Sequence, residues 1–406
     1  MKQNQTYSEY RRMETSSSDK RLLNCVEIQK VFRFISIYGL PRTIIKVAGR
    51  TRIACLRFFF LSTYLKHQKD VSIIGCGQFG FSTISYFISK KYGNRFLECY
   101  DVDKNHSETS ADFWGYKTVD DVKQLMGNDA CKYVFVVSNH FTHTTYAIDA
   151  LKAGKKVHVE KPISVTRTQF EDLLKTLNET NGTLYAGYNR PYSKAIQKVD
   201  SMISDSNLPI TLGCFIFGHK IEEDHWYRIP QEGTRICGNV GHWIDLSMHL
   251  FNIRGKLPET LNINITQADK SDFDDNLTIS YATDFGDIVT ITLTSRGEPF
   301  EGIRENINIQ CGEVMAVIDD FRKMTLQDGL KHKSYKYSPK DVGHKRSVMQ
   351  VFSENNRNWI EVVYSTLLML RITDMVRSGE QCVIYDIKQD YEEIQKKIAK
   401  TNSTLI

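Results

Sequence analysis

The chain has 406 residues, of which 41% are hydrophobic and 25% are charged. This length and composition predict a globular protein of two domains and exclude a disordered, collagenous or membrane-spanning chain. The net charge of +5 hides an asymmetry, since residues 1–69 contain 14 Lys/Arg and four Asp/Glu, whereas residues 70–406 contain 39 and 44. Because the body of the chain is slightly acidic, we expect no nucleic-acid partner.

The nine cysteines are odd in number and are not paired at C-x-x-C spacing. Several lie in apolar runs, where a thiol packs as a small hydrophobic group. This pattern predicts neither a disulfide framework nor a metal site, and it favours a reducing compartment. The first 20 residues are polar and do not resemble a signal peptide, so we expect a cytoplasmic location.

Residues 1–69 are predicted to form a basic helical extension, because apolar positions recur every three or four residues after the polar segment 1–20. Its positive charges concentrate on one side, at Arg42, Lys46, Arg50, Arg52 and Arg57. Three interpretations are open. The extension packs on the body or on a second subunit, residues 20–69 associate with an anionic membrane surface, or they form a basic site for an acidic or phosphorylated substrate.

Residues 70–190 alternate between strand-like and helix-like segments. Strands are predicted at 71–74, 96–100, 133–137, 157–159 and 183–186, and helices at 81–91, 118–127, 144–153 and around 170–177. Such alternation predicts a parallel, doubly wound α/β sheet, whose ligands bind beyond the carboxyl ends of the strands.

A G-x-G-x-x-G motif follows the first predicted strand and precedes a helix. In this context Gly75 permits a tight turn, Gly77 leaves room for a pyrophosphate, and Gly80 lets helix and strand pack closely. Free N–H groups at the start of the helix attract phosphate. The motif therefore predicts a dinucleotide site, with Gln78 and Phe79 of the same turn touching the cofactor.

Asp101 lies 21 residues after Gly80, at the end of the second predicted strand. A carboxylate there accepts hydrogen bonds from ribose hydroxyls and repels a 2′-phosphate, so NAD is expected rather than NADP. Loops at neighbouring strand ends supply the other expected cofactor contacts, which are Ser138, His140, His143, Glu160 and Lys161.

Residues 191–390 are predicted to form a second, α+β domain. Runs at 210–217, 261–266, 277–281, 288–294, 307–311 and 314–318 alternate in polarity and indicate a largely antiparallel sheet. Helices are predicted at 241–251 and 355–378, the second returning to the first domain. We expect this sheet to expose an apolar face that pairs subunits into a homo-oligomer, a dimer or tetramer.

The chain resembles the glucose–fructose oxidoreductase / inositol dehydrogenase / MocA family (Gfo/Idh/MocA). The resemblance covers about residues 70–390. It is carried by the glycine motif, the loop 138–143, the run from Ala153 into Glu160-Lys161-Pro162, and the segment 187–190, followed by an H-x-x-D helix that begins at His242. It implies a Rossmann domain followed by a substrate domain with a large sheet.

The resemblance implies hydride transfer between a nicotinamide cofactor and a secondary hydroxyl of a sugar, nucleotide sugar or inositol. His242 is the expected base, since imidazole titrates in the useful range, and Lys161 is expected to stabilise the alkoxide. Substrate contacts are expected from Arg190, Trp226, Arg228, Asn239 and Asp245. We expect no bound metal.

One position departs from the family pattern. Many members carry Asp four residues before the histidine, where this chain has Gly238. A Lys–Asp–His triad is therefore not expected. Two alternatives stay open, namely an NAD-dependent glycosidase that oxidises its substrate transiently and a non-catalytic dinucleotide-binding protein.

Overall fold

The computed structural model describes residues 25–269, 274–297, 302–353 and 357–403. Within these ranges the chain forms two β-sheets with helices packed against them. The polar segment 1–20 and the first two residues of the helix predicted at 355–378 lie outside the described residues.

The first sheet has six parallel strands in the order β3-β2-β1-β4-β5-β6. Its strands are β1 Lys66–Ile74, β2 Asn94–Tyr100, β3 Lys117–Thr118, β4 Tyr133–Val136, β5 Lys156–Val159 and β6 Leu184–Ala186. All five predicted strands are present, and the predicted doubly wound sheet is confirmed. The strand order reverses between β1 and β4, which opens a ligand-binding crevice beyond their carboxyl ends.

The second sheet has nine strands in the order β14-β13-β12-β11-β7-β10-β9-β8-β15. They are β7 Ile210–Phe217, β8 Thr260–Gln267, β9 Leu277–Thr283, β10 Ile288–Thr294, β11 Arg304–Cys311, β12 Val314–Asp319, β13 Lys323–Asp328, β14 Lys331–Lys336 and β15 Cys382–Asp386. Among the described strands of this sheet only β7 and β10 pair in parallel, which confirms a mostly antiparallel sheet. The last three strands were not predicted, and β14 is almost entirely polar.

The α-helices are α1 Cys25–Tyr38, α2 Leu40–Thr51, α3 Tyr86–Tyr92, α4 Lys104–Trp114, α5 Val122–Met126, α6 His140–Lys152, α7 Arg167–Thr180, α8 Lys194–Ile203, α9 Gly241–Arg254, α10 His344–Met349, α11 Trp359–Ser378 and α12 Ile387–Ser403. A π-helical turn, Gly80–Ser85, leads directly into α3. None of the helices in the described part of the chain is long and apolar enough to cross a bilayer.

The predicted helix at 118–127 is wrong in its first half. Thr118 ends β3, and the side chain of Asp121 accepts a hydrogen bond from the backbone N–H of Lys123 at 2.9 Å. This N-cap starts α5 at Val122, because it satisfies one of the free N–H groups of the first helical turn.

The core of the second sheet lies between its inner face and two central helices. Alternate residues of β7 are buried, as a strand with one covered face requires. Helices α9 and α11 pack against each other and are buried around most of their circumference. Such helices are apolar all round because neighbours cover every face.

A late segment returns to the first sheet. Val348 and Val351 belong to the same apolar core as Phe81 and Ile84, although they come after the second sheet's strand β14. The side chain of Gln350 donates a 2.9 Å hydrogen bond to the carbonyl oxygen of the last residue of β6. The sequence boundaries proposed for the two domains stay predictions.

The basic extension packs on the body of the protein. Ile45 and Ala48 of α2 are fully buried in the core of the first sheet. Arg42 donates to Thr83 Oγ1 at 3.3 Å, and its guanidinium carbon lies 5.0 Å from the centre of the Tyr86 ring. This contact agrees with the first interpretation of the extension and places α2 against the helix that follows the glycine motif.

Candidate active site

The three motif glycines differ in what a side chain at each position would contact. Gly75 has a φ of +96°, and a Cβ there would lie 2.4 Å from the carbonyl oxygen of Val137. A Cβ on Gly80 would lie 2.4 Å from the carbonyl oxygen of Gly75, whereas a Cβ on Gly77 would meet no atom within 4 Å. The space over Gly77 is therefore open, which fits a dinucleotide pyrophosphate beside the helix N-terminus.

Asp101 is held next to this turn. Its carboxylate accepts hydrogen bonds from the backbone N–H of Cys76 at 2.7 Å and of Asp103 at 2.8 Å. These bonds fix the carboxylate at the carboxyl end of β2, where the adenosine ribose of a dinucleotide would lie.

An arginine that the motif does not contain lies at the same end of the turn. Arg52 donates to the carbonyl oxygen of Cys76 at 2.8 Å and to Ser110 Oγ at 3.3 Å. Its guanidinium carbon lies 4.6 Å from the centre of the Phe81 ring. Burial lowers the pKa of Arg52, and the nearby charges of Asp101 and Asp103 oppose that shift. The motif did not point to this residue as a cofactor-site group, because it precedes the motif by more than 20 residues.

Helix α2 also contacts Gln78. The Gln78 side-chain amide donates to the carbonyl oxygen of Lys46 at 3.2 Å, and a Cβ on Gly49 would lie 2.9 Å from Gln78 Oε1. Burial lowers the pKa of Lys46 to about 8, and the like charges of Arg42 and Arg50 add to this effect. The extension thus brings positive charge to the outer side of the glycine turn.

A histidine from the far end of the chain also faces the glycine turn. The ring of His344, at the start of α10, lies 5.6 Å from the ring of Phe79. Burial and the charges of Arg42 and Arg190 lower the pKa of His344 well below its usual value. No sequence motif indicated this residue, because the fold alone brings α10 to the turn.

Loops at the ends of β4 and β5 are tied together by His143. Its Nδ1 lies 2.7 Å from the carbonyl oxygen of Pro162, and its Nε2 lies 2.9 Å from the carbonyl oxygen of Ser138. The Ser138 hydroxyl accepts a 2.7 Å hydrogen bond from Thr142. His143 is fully buried, so it holds the two loops in place rather than acting as a proton carrier.

Lys161 follows Glu160 at the carboxyl end of β5, and its Nζ donates a 2.7 Å hydrogen bond to the carbonyl oxygen of Gly238. Burial lowers the pKa of Lys161 to about 8, although the charge of Glu160 opposes the shift. A lysine with this pKa exchanges protons near neutral pH, which an ordinary surface lysine does not do. Glu160 is itself buried, and one of its carboxylate oxygens lies 3.3 Å from Nε2 of His158.

Tyr227 fills the space beside Gly238. A Cβ on Gly238 would lie 2.5 Å from the Tyr227 ring, and the tyrosine hydroxyl lies 3.5 Å from the Gly238 carbonyl oxygen. Burial raises the pKa of Tyr227 to about 12, so its hydroxyl stays protonated. The structure thereby explains the missing carboxylate, since an aspartate at this position would collide with the ring.

His242 lies one turn further along, at the start of α9. Its ring is half-buried between Tyr188 and Trp243, with centre-to-centre distances of 6.1 Å to each. Burial and the charges of Arg190 and Lys161 lower the pKa of His242 well below its usual value. Its buried Nδ1 has no hydrogen-bond partner among the described residues, which is uncommon and fits a ligand-binding role.

An aromatic cluster borders the site next to Tyr227. His140 packs against Trp226 and Tyr227, with ring centres 4.6 Å and 5.1 Å apart. Its Nδ1 lies 3.1 Å from the carbonyl oxygen of Glu232. The Glu232 carboxylate accepts a 3.2 Å hydrogen bond from the backbone of Phe141, and burial raises its pKa to about 7.

Two residues that were expected to contact the substrate form ion pairs inside the protein. Arg190 is buried and forms a two-pronged ion pair with Glu305 at 2.9 and 3.0 Å. Asp245 is fully buried and forms a two-pronged ion pair with Arg357 at 2.9 and 3.0 Å. Both charges are thus paired inside the protein, and the predicted substrate contacts of these two residues stay predictions.

The other two polar candidates for substrate contacts, Arg228 and Asn239, form hydrogen bonds within the protein. Arg228 donates to Asp274 at 2.8 Å and to Asp275 at 2.5 Å, which ties its loop to the end of the second sheet. Asn239 accepts a 3.3 Å hydrogen bond from Arg235 and is half-buried beside Gly238. Their substrate contacts stay predictions.

Part of the chain is similar in sequence to known proteins. Residues 69–188 match a family model described as an oxidoreductase family with an NAD-binding Rossmann fold. An uncharacterised oxidoreductase of Streptococcus pneumoniae is 24% identical over 195 residues, which make up 47% of this chain and 52% of that protein. Glucose-6-phosphate 3-dehydrogenase of Bacillus subtilis is 23% identical over 215 residues, or 50% of this chain and 61% of that enzyme. The chain thus spans about half to three fifths of the length of these relatives.

The fold extends beyond the matched residues. The solved structure of GenD2 from gentamicin A biosynthesis, in complex with NAD, covers 79% of this chain and 98% of its own, with a TM-score of 0.64 and 15% identity. Residues 69–188 thus match the model of the Gfo/Idh/MocA oxidoreductase family, and most of the chain shares its fold with this structure.

Proposed function

We propose that the protein transfers hydride between NAD and a secondary hydroxyl of a sugar, nucleotide sugar or inositol. The proposal rests chiefly on the position of Lys161, whose pKa is lowered to about 8 at the carboxyl end of β5. The open cradle over Gly77 lies at the carboxyl end of β1 in the same sheet. A dinucleotide bound there supplies the hydride acceptor.

The proton chemistry is assigned to Lys161. When a hydroxyl is oxidised, its oxygen must lose a proton as hydride leaves carbon. The neutral amine of Lys161 accepts that proton, and the resulting ammonium stabilises negative charge on the oxygen. His242 stays neutral because burial and neighbouring cations lower its pKa, so its role is to hold the substrate hydroxyl by a hydrogen bond.

Tyr227 takes the place of the carboxylate found in many relatives. Its hydroxyl and the Lys161 amine both lie against the Gly238 carbonyl oxygen. A protonated tyrosine donates a hydrogen bond without adding charge, whereas a carboxylate would raise the pKa of the lysine. The replacement thus leaves the lysine pKa low.

The cofactor is proposed to be NAD, because the Asp101 carboxylate would repel a 2′-phosphate. Arg52 lies close enough to reduce that repulsion, since the charge of Asp101 acts on it. Binding of the two dinucleotides should therefore be measured separately.

Substrate screening tests the proposal. Free sugars, nucleotide sugars and inositols are incubated with NAD, and NADH is followed by absorbance. We expect NADH with at least one class, and its formation at least about 10²-fold slower with Lys161→Met, which should still bind NAD. Cleavage of a glycoside without NADH release would instead indicate the glycosidase, and dinucleotide binding without turnover would indicate a non-catalytic protein.

We also propose that the outer face of the second sheet pairs subunits. Phe215 and Phe217 of β7 and Met315 and Val317 of β12 are exposed on this face. Exposed apolar side chains on one sheet face are typical of subunit contacts. Light scattering of the wild type and of Phe215→Ser/Phe217→Ser should show an oligomer and a smaller species, respectively.

A further inference from the structure

Exposed apolar side chains concentrate in the extension. Nine of the 19 large apolar side chains that are exposed among the described residues lie between Phe32 and Leu65. Six belong to residues 53–65, which we call the docking segment, and they are 47–75% exposed: Ile53, Phe58, Phe59, Leu61, Tyr64 and Leu65. So dense a set is unusual, because scattered single residues are the norm on protein surfaces.

The docking segment is anchored to the body. Phe60 is buried and packs against Tyr86 and Phe113, with ring centres 5.9 and 6.0 Å apart. Arg57 donates a 2.9 Å hydrogen bond to the carbonyl oxygen of Asp112. Since Phe60 faces inward, the residues on either side of it are held outward at a fixed place on the surface.

The charged side chains of the extension itself have one sign. Residues 28–69 contain nine Lys/Arg and no Asp/Glu. A symmetric contact between two copies would bring these positive segments together, which like charges oppose. An anionic bilayer complements both features, because acidic headgroups attract the cations and the interface accepts aromatic and aliphatic side chains.

We propose that residues 53–65 dock the protein onto an anionic lipid bilayer, with Phe58, Phe59 and Leu61 entering the interface. The contact is peripheral, since the segment consists of two short 3₁₀ turns, Ala54–Phe59 and Leu61–Tyr64. The proposal does not depend on the hydride-transfer reaction.

Vesicle co-sedimentation of the full chain tests this proposal. We expect binding to vesicles that contain phosphatidylglycerol, little binding to pure phosphatidylcholine, and release at high salt. Phe58→Ser/Phe59→Ser should weaken partitioning about tenfold or more, because two aromatic rings leave the interface. The matched control is Leu330→Ser/Ile384→Ser, which removes two exposed apolar side chains, one in the turn between β13 and β14 and one on β15, and should leave binding unchanged.

Thermal melting and NAD binding of each variant check that the fold is intact. Equal binding of the wild type and Phe58→Ser/Phe59→Ser to anionic vesicles would overturn the proposal. Failure of the wild type to bind these vesicles would also overturn it, and loss of an oligomer in the same variant would then assign the segment to a contact between copies.

Discussion

The Tyr227 ring occupies the position that a side chain on residue 238 would need, at 2.5 Å from a Cβ built on Gly238. This contact accounts for a glycine at the position where the family resemblance leads one to expect aspartate. It also leaves Lys161 bonded to a neutral carbonyl oxygen instead of a carboxylate.

The first prediction concerns this contact. Gly238→Asp should destabilise the protein by about 1–3 kcal/mol, because the new side chain overpacks against Tyr227. In a Tyr227→Ala background the same substitution should cost less, because the ring that it overpacks against is absent. Urea unfolding of the wild type, the two single variants and the double variant measures this difference, and an unchanged midpoint for Gly238→Asp alone would contradict the steric explanation.

The second prediction concerns pH. The pKa of Lys161 is lowered to about 8, so the neutral amine becomes abundant as pH rises through that value. Substrate oxidation should therefore rise with pH and level off above about 8. Lys161→Met should lower kcat by about 10²-fold or more and abolish the rise. A profile that is unchanged in the variant would show that another group titrates.

The third prediction concerns the charges of Asp101 and Arg52, which lie where the adenosine end of a dinucleotide is expected. Asp101→Ser should improve binding of NADP relative to NAD, because the carboxylate that repels the 2′-phosphate is removed. Adding Arg52→Ala should reverse that gain. Fluorescence titration with both dinucleotides gives the Kd ratio, which is insensitive to a general loss of stability. An unchanged ratio in both variants would exclude these residues from cofactor selection.

The fourth prediction concerns a buried histidine away from the site. His249 lies 3.1 Å from both Asp200 and Glu361, and these carboxylates raise its pKa to about 9 despite burial. Because the folded-state pKa is above the usual 6.5, the stabilisation is complete below pH 6.5 and is lost as pH rises to about 9.

Urea unfolding between pH 6 and 9 should show a decline of about 3 kcal/mol at most from this group. His249→Gln should flatten the decline, since glutamine does not titrate. A decline of equal size in the variant would assign it to other groups.

Local pattern was enough to predict much of the molecule. The glycine motif, the strand alternation of the first sheet and six strands of the second are short-range features of sequence, since the period of apolar residues reports each local backbone. The polar strand β14 and the capped start of α5 were not predicted, because neither has a clear period of apolar residues.

The candidate site was predicted in part. Lys161 and His242 were found because each stands in a recognisable motif. The ion pairs of Arg190 and Asp245 were not predicted, since their partners Glu305 and Arg357 are 115 and 112 residues away in the chain. Nothing in the local pattern distinguishes a charged side chain that awaits a ligand from one already paired inside the protein.

The glycine turn, Asp101 after β2 and Lys161 after β5 could all be read from the residues in order, because backbone sterics and strand ends are local properties. The replacement of the missing carboxylate by Tyr227, the approach of Arg52 to Asp101 and the apolar, basic surface of the extension became visible only in the folded chain. The reason is physical: burial, ion pairing and lowered pKa values arise between segments that meet only when the chain has folded.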